Sequence, residues 1–223
     1  EVEHNGLPGM WAELSIEGLD RPRSYSYANA PKNENPNEFT FFIRKTPGGK
    51  FTEWLFDEKR DASQCVTING PFGSFYLREK ATPIVCIAGG SGLAPVKSIL
   101  EGGVLDQSKR DVVFLFGART QDDLYCVKEL ESIKENWNKD YKFDFIPVLS
   151  MEPDDSDWKG GRGFVTDYFE EHIVKKNNIN ISDWQGYLCG PPPMVDAATS
   201  LLEKLGLNND EIYFDSFTDS SNL

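Results

Sequence analysis

The chain has 223 residues and a formal net charge of −13, with 39% hydrophobic and 26% charged residues, which is typical of a soluble globular protein. No apolar run is long enough to cross a membrane, and the acidic balance disfavours nucleic acids and anionic membranes as partners. The N-terminus shows no signal-peptide pattern and no initiator methionine, so we expect that the native protein is longer or that the chain is a fragment.

The first third of the sequence predicts short strands separated by turns. Residues 6–18 indicate a strand introduced by a Pro-Gly turn, and residues 31–38 a polar loop. Residues 39–45 are apolar enough for a second strand, residues 50–56 have the pattern of a short helix, and residues 65–73 predict another strand. This part of the chain therefore favours a small antiparallel β domain.

From residue 80 onward, strands alternate with helices. Strands are predicted at 83–89, 111–118, 143–150, 186–190 and 211–217, and helices at 95–105, 124–137, 166–176 and 193–206. The loop 151–163 is polar and is expected to be exposed. This alternation predicts a doubly wound parallel sheet. With a boundary near Lys80–Pro83, we expect a β domain over 1–80 and an α/β domain over 81–223.

The segment RSYSYANAP, residues 23–31, alternates a cation, an aromatic residue and hydroxyls. On a regular strand, Arg23 and Tyr25 share one face, and Ser24 and Ser26 the other. A cation suits a phosphate, and an aromatic face can stack on a planar ring. An ordinary half-exposed strand explains the same pattern, and alone it would be the better explanation.

The segment PGGKFTEWL, residues 47–55, places two glycines before the short helix, with Thr52 close behind. Free amides at a helix N-terminus bind phosphate. A turn followed by a helix cap accounts equally well for these residues.

The segment IVCIAGGSGLAP, residues 84–95, runs from a buried strand through three glycines into a helix. Glycines allow close approach of a pyrophosphate, and the helix dipole favours its charge. Pro95 stands where the dinucleotide-binding fingerprint requires a third glycine, but proline suits the first turn of a helix. We therefore expect a related strand–loop–helix phosphate cradle rather than that fingerprint.

A similar strand end occurs at LCGPPPMVDAA, residues 188–198. Cys189 is predicted at the carboxyl edge of the sheet, where ligands of open α/β sheets bind. A buried thiol that merely fills space is the alternative.

The remaining cysteines and histidines do not suggest a metal site. The sequence contains Cys65, Cys86, Cys126 and Cys189, together with His4 and His172. No two cysteines have zinc-binding or iron–sulfur spacing, so no metal ligand is predicted. Widely spaced thiols favour a reducing, cytoplasmic location.

Taken in this order, the motifs resemble the ferredoxin–NADP reductase superfamily. RSYSYANAP is similar to its flavin motif, and IAGGSGLAP and LCGPPPM are similar to its two nicotinamide-nucleotide motifs. FGART at 116–120, DWKGGRGFV at 157–165 and the ending IYFDSF resemble the reductase components of bacterial multicomponent oxygenases, such as those of phenol hydroxylase, methane monooxygenase and ring-hydroxylating dioxygenases. The implied fold is an antiparallel flavin-binding β-barrel followed by a doubly wound NAD(P)-binding domain.

The resemblance also implies a role for each matching position. Arg23 would hold the FAD pyrophosphate, Tyr25 would stack on the isoalloxazine, and Ser26 would lie near flavin N5. Further flavin contacts are implied for Ser24, Ile43, Arg44, Lys45, Gly48, Gly49, Lys50, Phe51 and Thr52. Nicotinamide-nucleotide contacts are implied for Gly89, Gly90, Ser91, Gly92, Ala118, Arg119, Cys189, Gly190, Pro191, Pro192 and Met194. A catalytic role is implied for Ser26, Cys189 and Phe217, the last as an aromatic beside the flavin.

The implied activity is transfer of hydride from NADH to FAD, followed by release of single electrons through an iron–sulfur centre outside this chain to an oxygenase component or a ferredoxin. NADPH stays an alternative, because FGART lacks an acidic residue after its strand and Arg119 could meet a 2′-phosphate. A free-flavin or flavohaemoglobin-type reductase, and a nucleotide-binding docking module without redox activity, are the other hypotheses.

Two departures from the family pattern accompany this resemblance. The usual Pro-Gly-Gln-Tyr reads Pro8-Gly9-Met10-Trp11. The first barrel strands and an N-terminal [2Fe–2S] domain are expected upstream of Gly6, so the β-barrel is expected to be incomplete at its N-terminal side.

Overall fold

The computed structural model describes residues 6–31, 38–61 and 63–217. Its first part contains a three-stranded antiparallel sheet in the order β2-β1-β3, formed by β1 (Trp11–Ser15), β2 (Arg23–Ser26) and β3 (Thr67–Phe72). Ala12 and Leu14 alternate inward along β1 and are buried, as expected for a sheet with one solvated face. The short helix α1 (Lys50–Leu55) also agrees with its prediction.

The expected strand over 39–45 was wrong. Within the described residues, only Phe41 pairs there, in an isolated antiparallel bridge with Tyr27. The neighbouring Phe42 instead packs edge-on against Tyr125 of the second domain, with 5.2 Å between ring centroids. Phe39 and Phe41 pack on Tyr27 of the first domain, at 5.9 and 5.2 Å between ring centroids. Aromatic contacts on both sides therefore fix this segment in place of a strand ladder.

The second part is a six-stranded parallel sheet in the order β7-β6-β5-β4-β8-β9. Its strands are β4 (Ile84–Gly89), β5 (Val112–Ala118), β6 (Phe143–Leu149), β7 (Gly161–Arg162), β8 (Gln185–Gly190) and β9 (Ile212–Ser216). Every residue of β4 and β8 is buried, because helices cover both faces of the sheet. The two-residue edge strand β7 lies within the segment predicted to be a loop.

The helices are α2 (Leu93–Leu105), α3 (Val127–Asn136), α4 (Val165–Tyr168), which continues as a π-helical segment (Phe169–Lys175), and α5 (Pro192–Lys204). One apolar core, which includes Phe114 and Trp137, packs on one face of the sheet. A second core, which includes Phe169 and Leu202, packs on the other. The doubly wound architecture is thus confirmed. In the described part of the chain, no helix combines the length and the apolar character needed to span a bilayer.

Helix α2 also joins the two domains. The Lys97 ammonium donates to the carbonyl of Ala28 at 2.9 Å, and the Ser98 hydroxyl donates to the carbonyl of Asn29, also at 2.9 Å. Glu101 pairs with Lys97 and accepts from the amide of Ala30 at 3.0 Å. These buried bonds hold the segment after β2 against the α/β domain, which positions the RSYS strand beside the parallel sheet.

Candidate nucleotide and flavin site

The strand order changes direction between β4 and β8, and two glycine-containing loops follow the carboxyl ends of these neighbouring strands. Ligands of open α/β sheets bind at such a switch point. A Cβ at Gly92 would lie 2.3 Å from the carbonyl oxygen of Cys189, so this glycine allows the two loops to pack together. Gly90 has a φ of +55°, and a Cβ there would meet nothing within 4 Å. Gly90 is thus free to face a ligand.

A cavity of about 750 Å³ opens beside these loops, within the range of small-molecule sites. It brings together the predicted residues Ile43, Arg44, Gly89, Gly90, Ser91, Ala118, Arg119, Pro191 and Met194. Residues of both domains therefore line one space. The volume and the open face at Gly90 fit a pyrophosphate-bearing nucleotide, with backbone amides and arginines as its anion partners.

Four aromatic residues that line this cavity were missed as site residues in the sequence: Phe41, Phe42, Tyr125 and Phe164. The Tyr125 hydroxyl donates a hydrogen bond to the carbonyl of Gly90 at 2.8 Å and so helps to hold the Gly89–Gly92 loop in place. Phe164 lines the cavity and is 66% exposed, which leaves a large apolar face available to a planar ring. Tyr125 belongs to no glycine-rich or alternating pattern, so only its spatial position reveals it. Phe164 follows the glycines of DWKGGRGFV, whose family resemblance was noted in the sequence, but no role was predicted for its ring.

Arg119 lies at the end of the cavity, where its guanidinium pairs with the Asp123 carboxylate at 3.2 Å. This bridge lowers the pKa of Asp123. The sequence pattern had no acidic residue directly after β5, but Asp123 reaches the same cavity from a 3₁₀ turn (Gln121–Asp123) four residues further on. A carboxylate and a guanidinium thus both face the ligand space.

A second group of predicted residues meets where β2 approaches the carboxyl ends of β8 and β9. The buried Ser26 hydroxyl donates to Oδ2 of Asp215 at 3.5 Å. Burial raises the pKa of Asp215, while the bond from Ser26 lowers it. Asp215, which the sequence analysis missed, is the register partner of Cys189. It lies in the last strand, within the ending IYFDSF whose family resemblance was noted, but no role was predicted for this acid.

Cys189 is fully buried beside this pair. Burial, reinforced by the charge of Asp215, raises the pKa of the thiol well above its ordinary value. The neutral thiol is therefore no nucleophile at physiological pH, and the space-filling interpretation describes its packing. The amide of Phe217 donates to the carbonyl of Gly190 at 3.1 Å, which brings the last predicted aromatic to the same place.

The flavin-motif strand presents Tyr25 next to Phe51, with ring centroids 5.8 Å apart. Arg23 pairs with Asp20 at 3.1 Å and also donates to the carbonyl of Arg21 at 2.5 Å. Its guanidinium is therefore held beside the strand by the more exposed Asp20 carboxylate and by the backbone of the preceding turn.

The glycine loop before α1 is organised by its own side chains. Thr52 is buried, accepts from the amide of Thr46 and donates to its carbonyl, both at 3.1 Å. The amide of Gly48 donates to the Glu53 carboxylate at 2.8 Å. These contacts support a turn as the local cause of the loop, while Gly49 at the start of the helix makes no side-chain capping bond. Fourteen predicted positions neither line the cavity nor take part in the Ser26–Asp215 bond: Arg23, Ser24, Tyr25, Lys45, Gly48, Gly49, Lys50, Phe51, Thr52, Gly92, Cys189, Gly190, Pro192 and Phe217.

Two known protein families match the two parts of this chain. Residues 86–200 match the family described as oxidoreductase NAD-binding domain, and residues 8–76 match the oxidoreductase FAD-binding domain. The chain belongs to the oxidoreductases that join an FAD-binding domain to an NAD-binding domain. Its resemblance to the ferredoxin–NADP reductase superfamily is thereby confirmed, whereas the boundary at residue 80 stays a prediction that falls between the two matched ranges.

Relatives of this FAD- and NAD-binding oxidoreductase include electron-transfer proteins of oxygenase systems. The xylene/toluene monooxygenase electron transfer component of Pseudomonas putida is 41% identical over 210 residues, which are 94% of this chain and 57% of that protein. The reductase component of the naphthalene 1,2-dioxygenase system of Pseudomonas putida is 33% identical over 211 residues, 94% of this chain and 60% of that protein. The chain thus spans less than two thirds of these relatives.

Solved structures agree with the fold of this FAD- and NAD-binding oxidoreductase. The Amycolatopsis cytochrome P450 reductase GcoB superimposes with a TM-score of 0.80 at 32% identity, over 96% of this chain and 62% of that one. The ferredoxin reductase in carbazole 1,9a-dioxygenase gives a TM-score of 0.79 at 29% identity, over 98% and 62% of the two chains. Both structures therefore share the fold of this chain over almost its whole length.

Proposed function

We propose that this protein is an NADH-dependent, FAD-containing reductase that supplies single electrons to an oxygenase component or a ferredoxin. The carrying observation is the approach of the RSYS strand to the carboxyl edge of the parallel sheet, where Ser26 contacts Asp215 at 3.5 Å. A flavin held on β2 would there face a nucleotide held by the Gly89–Gly92 loop. When bound, FAD supplies the conversion of a two-electron hydride into single electrons.

The chain's own residues would hold the flavin and the nucleotide in position, and they would not themselves react. Tyr25, which packs against the buried ring of Phe51, offers aromatic surface to the isoalloxazine, and the Gly90 loop with Arg119 offers donors to the nucleotide. Holding two planar rings in contact accounts for much of the rate in such reactions. No nucleophile or general base is required, which agrees with the buried, neutral Cys189 thiol.

Asp215 provides a place for a proton beside the proposed flavin. Because burial raises its pKa, this carboxyl keeps its proton to a higher pH than an exposed aspartate does. The Ser26 hydroxyl lies within reach of its Oδ2, so a proton at this oxygen can be shared with Ser26. We propose that the pair holds the proton that balances charge on the neighbouring cofactor.

We propose NADH as the preferred nucleotide. The Asp123 carboxylate engages the Arg119 guanidinium at 3.2 Å, which reduces the attraction of Arg119 for a 2′-phosphate and leaves an acceptor for a ribose hydroxyl. Comparing kcat/KM for NADH and NADPH tests this. Asp123→Asn should raise the relative use of NADPH, whereas Asp122→Asn, at the adjacent exposed position, serves as the control.

The direct experiment is reduction of a one-electron acceptor by the FAD-loaded protein. We expect NADH to reduce ferricyanide at a rate that depends on FAD. A protein that binds NADH but transfers no electrons would instead be a nucleotide-binding docking module. The four free cysteines support our proposal of a cytoplasmic location, and the relatives named above support an oxygenase or ferredoxin as the acceptor.

A further inference from the structure

A second cavity, of about 400 Å³, lies beside the C-terminal turns of α2, whereas the Gly89–Gly92 loop precedes the N-terminus of this helix. It is bounded by the interdomain segment 76–81, the last turns of α2 and the loop that leads into β5. It shares no lining residue with the first cavity. None of the residues proposed for FAD or NADH binding lines it, so the proposed function leaves it unexplained.

Arg110 lines this cavity and is only 5% exposed. Its guanidinium donates to the Gln185 side-chain oxygen at 3.2 Å and to the carbonyl of Arg78 at 2.7 Å. Both acceptors are neutral, and Nε is buried without a partner. Among the residues that the structure describes, no carboxylate lies within ion-pairing distance of Arg110. Buried arginines are rare unless they are paired.

Arg78 is a second arginine that lines the same cavity. It lies between the rings of Tyr76 and Tyr213, at 3.7 and 4.4 Å from their centroids. One terminal nitrogen donates to the carbonyl of Ser74 at 3.0 Å, and the other, Nη1, is buried without a partner. The stacking fixes the plane of the guanidinium and leaves one of its donors unused.

The neighbouring groups do not neutralise these cations. Burial raises the pKa of both the Cys86 thiol and the Tyr187 hydroxyl, so both stay neutral at physiological pH. Glu211 is engaged by Lys80 at 2.6 Å and by Gln185 at 2.7 Å. Glu79 and Asp106 also line the cavity, but both are exposed at its rim, as is the cation Lys109. The charge of the buried Arg110 guanidinium is therefore left for a ligand to balance.

We propose that this cavity binds a small organic carboxylate, with its carboxylate group on Arg78 and Arg110. Arginine donors match the geometry of a carboxylate better than a single ammonium does. Leu77, Ile99, Leu7 and Pro8 also line the cavity and provide apolar contact for the body of the ligand. Its volume suits a single-ring acid. The ligand would bridge the interdomain segment and α2, so its binding would stabilise the arrangement of the two domains.

Titration of the purified protein with benzoate, and in parallel with the uncharged isostere benzamide, tests this site. We expect benzoate to bind at one site and to shift the amide resonances of Gly102 and Gly103, which line this cavity, without shifting those of Gly89 and Gly90 in the nucleotide cavity. Benzamide should bind at least about tenfold more weakly, because a charge-assisted hydrogen bond contributes more than a neutral one.

Two substitutions test whether the benzoate carboxylate binds at the two arginines. Arg110→Gln and Arg78→Gln should each weaken benzoate binding roughly ten- to a hundredfold, whereas Arg60→Gln, the same change at an exposed arginine, should leave it unchanged. Equal binding of benzoate and benzamide, no saturable binding, resonance shifts at the nucleotide loops, or unchanged affinity in the folded variants would each overturn the proposal. If both variants fail to fold, the glycine shifts and the benzamide comparison in the unsubstituted protein still decide.

Discussion

Replacing Gly90 with alanine separates the role of this residue in the fold from its role in binding. Gly90 has a φ of +55°, and an added Cβ would meet nothing within 4 Å. The fold therefore loses only the backbone preference, about 1–2 kcal/mol for a non-glycine residue in the left-handed region. Gly206 makes a matched control, because its φ is +96° and its Cβ would also meet nothing, while it lies after α5 and lines neither cavity.

The two variants should differ in nucleotide binding. Gly90 lines the larger cavity, and the proposed pyrophosphate requires close approach to the backbone there. We expect Gly90→Ala to weaken binding by on the order of tenfold, or about 1.4 kcal/mol, and Gly206→Ala to leave it unchanged.

Urea unfolding measures the stability of both variants, and equilibrium titration with NAD⁺ measures their affinity. If Gly90→Ala binds the nucleotide as tightly as the unsubstituted protein, the loop does not cradle the pyrophosphate and our account of the cavity is wrong. A loss of affinity in Gly206→Ala of the same size would trace the effect to general destabilisation instead.

Gly92→Ala should destabilise the fold by about 1–3 kcal/mol in urea unfolding, because its Cβ would lie 2.3 Å from the Cys189 carbonyl oxygen; unchanged stability would contradict the tight loop contact. Tyr25→Ala should weaken FAD binding by roughly 1–3 kcal/mol in a flavin-release titration, and full flavin retention would remove Tyr25 from the stacking role. Since burial raises the pKa of Asp215, its contribution to stability is present at acidic pH and is lost as pH rises through the raised pKa. Asp215→Asn should therefore be more stable than the unsubstituted protein at neutral pH, with a difference that shrinks towards pH ~4; a pH-independent difference would contradict the shift.

Much of the fold follows from local sequence patterns. The continuous apolar runs 84–89 and 112–118 are typical of parallel strands that helices cover on both faces. The helical periodicity of the segment between them predicted the alternation of strands and helices. Residues 39–45 have the same composition as a strand, but Phe42 is drawn onto Tyr125 in the second domain. Such a contact between distant residues overrides β propensity, and it cannot be recognised from a short stretch of sequence.

The site could be predicted from the sequence where glycines impose a particular backbone geometry. It could not be predicted where a single side chain acts through a partner that is distant in the sequence. Gly90 belongs to a strand–loop–helix pattern with a stated physical use, so the sequence points to it. Asp215 and Tyr125 act through partners 189 and 35 residues away, which only the folded chain brings together. The pairing of Arg119 with Asp123 was likewise not predicted from the sequence, because the Asp123 carboxylate lies on a turn rather than at the end of β5.

The measurement that tests the central claim most directly is the visible absorbance of the FAD-loaded protein during anaerobic addition of NADH. We predict that the flavin absorbance bleaches with one equivalent of NADH, faster than with NADPH, and returns on adding a one-electron acceptor in twofold molar amount. A protein that stays colourless after incubation with FAD, or a flavin band that NADH leaves unchanged, would contradict the assignment of a reductase.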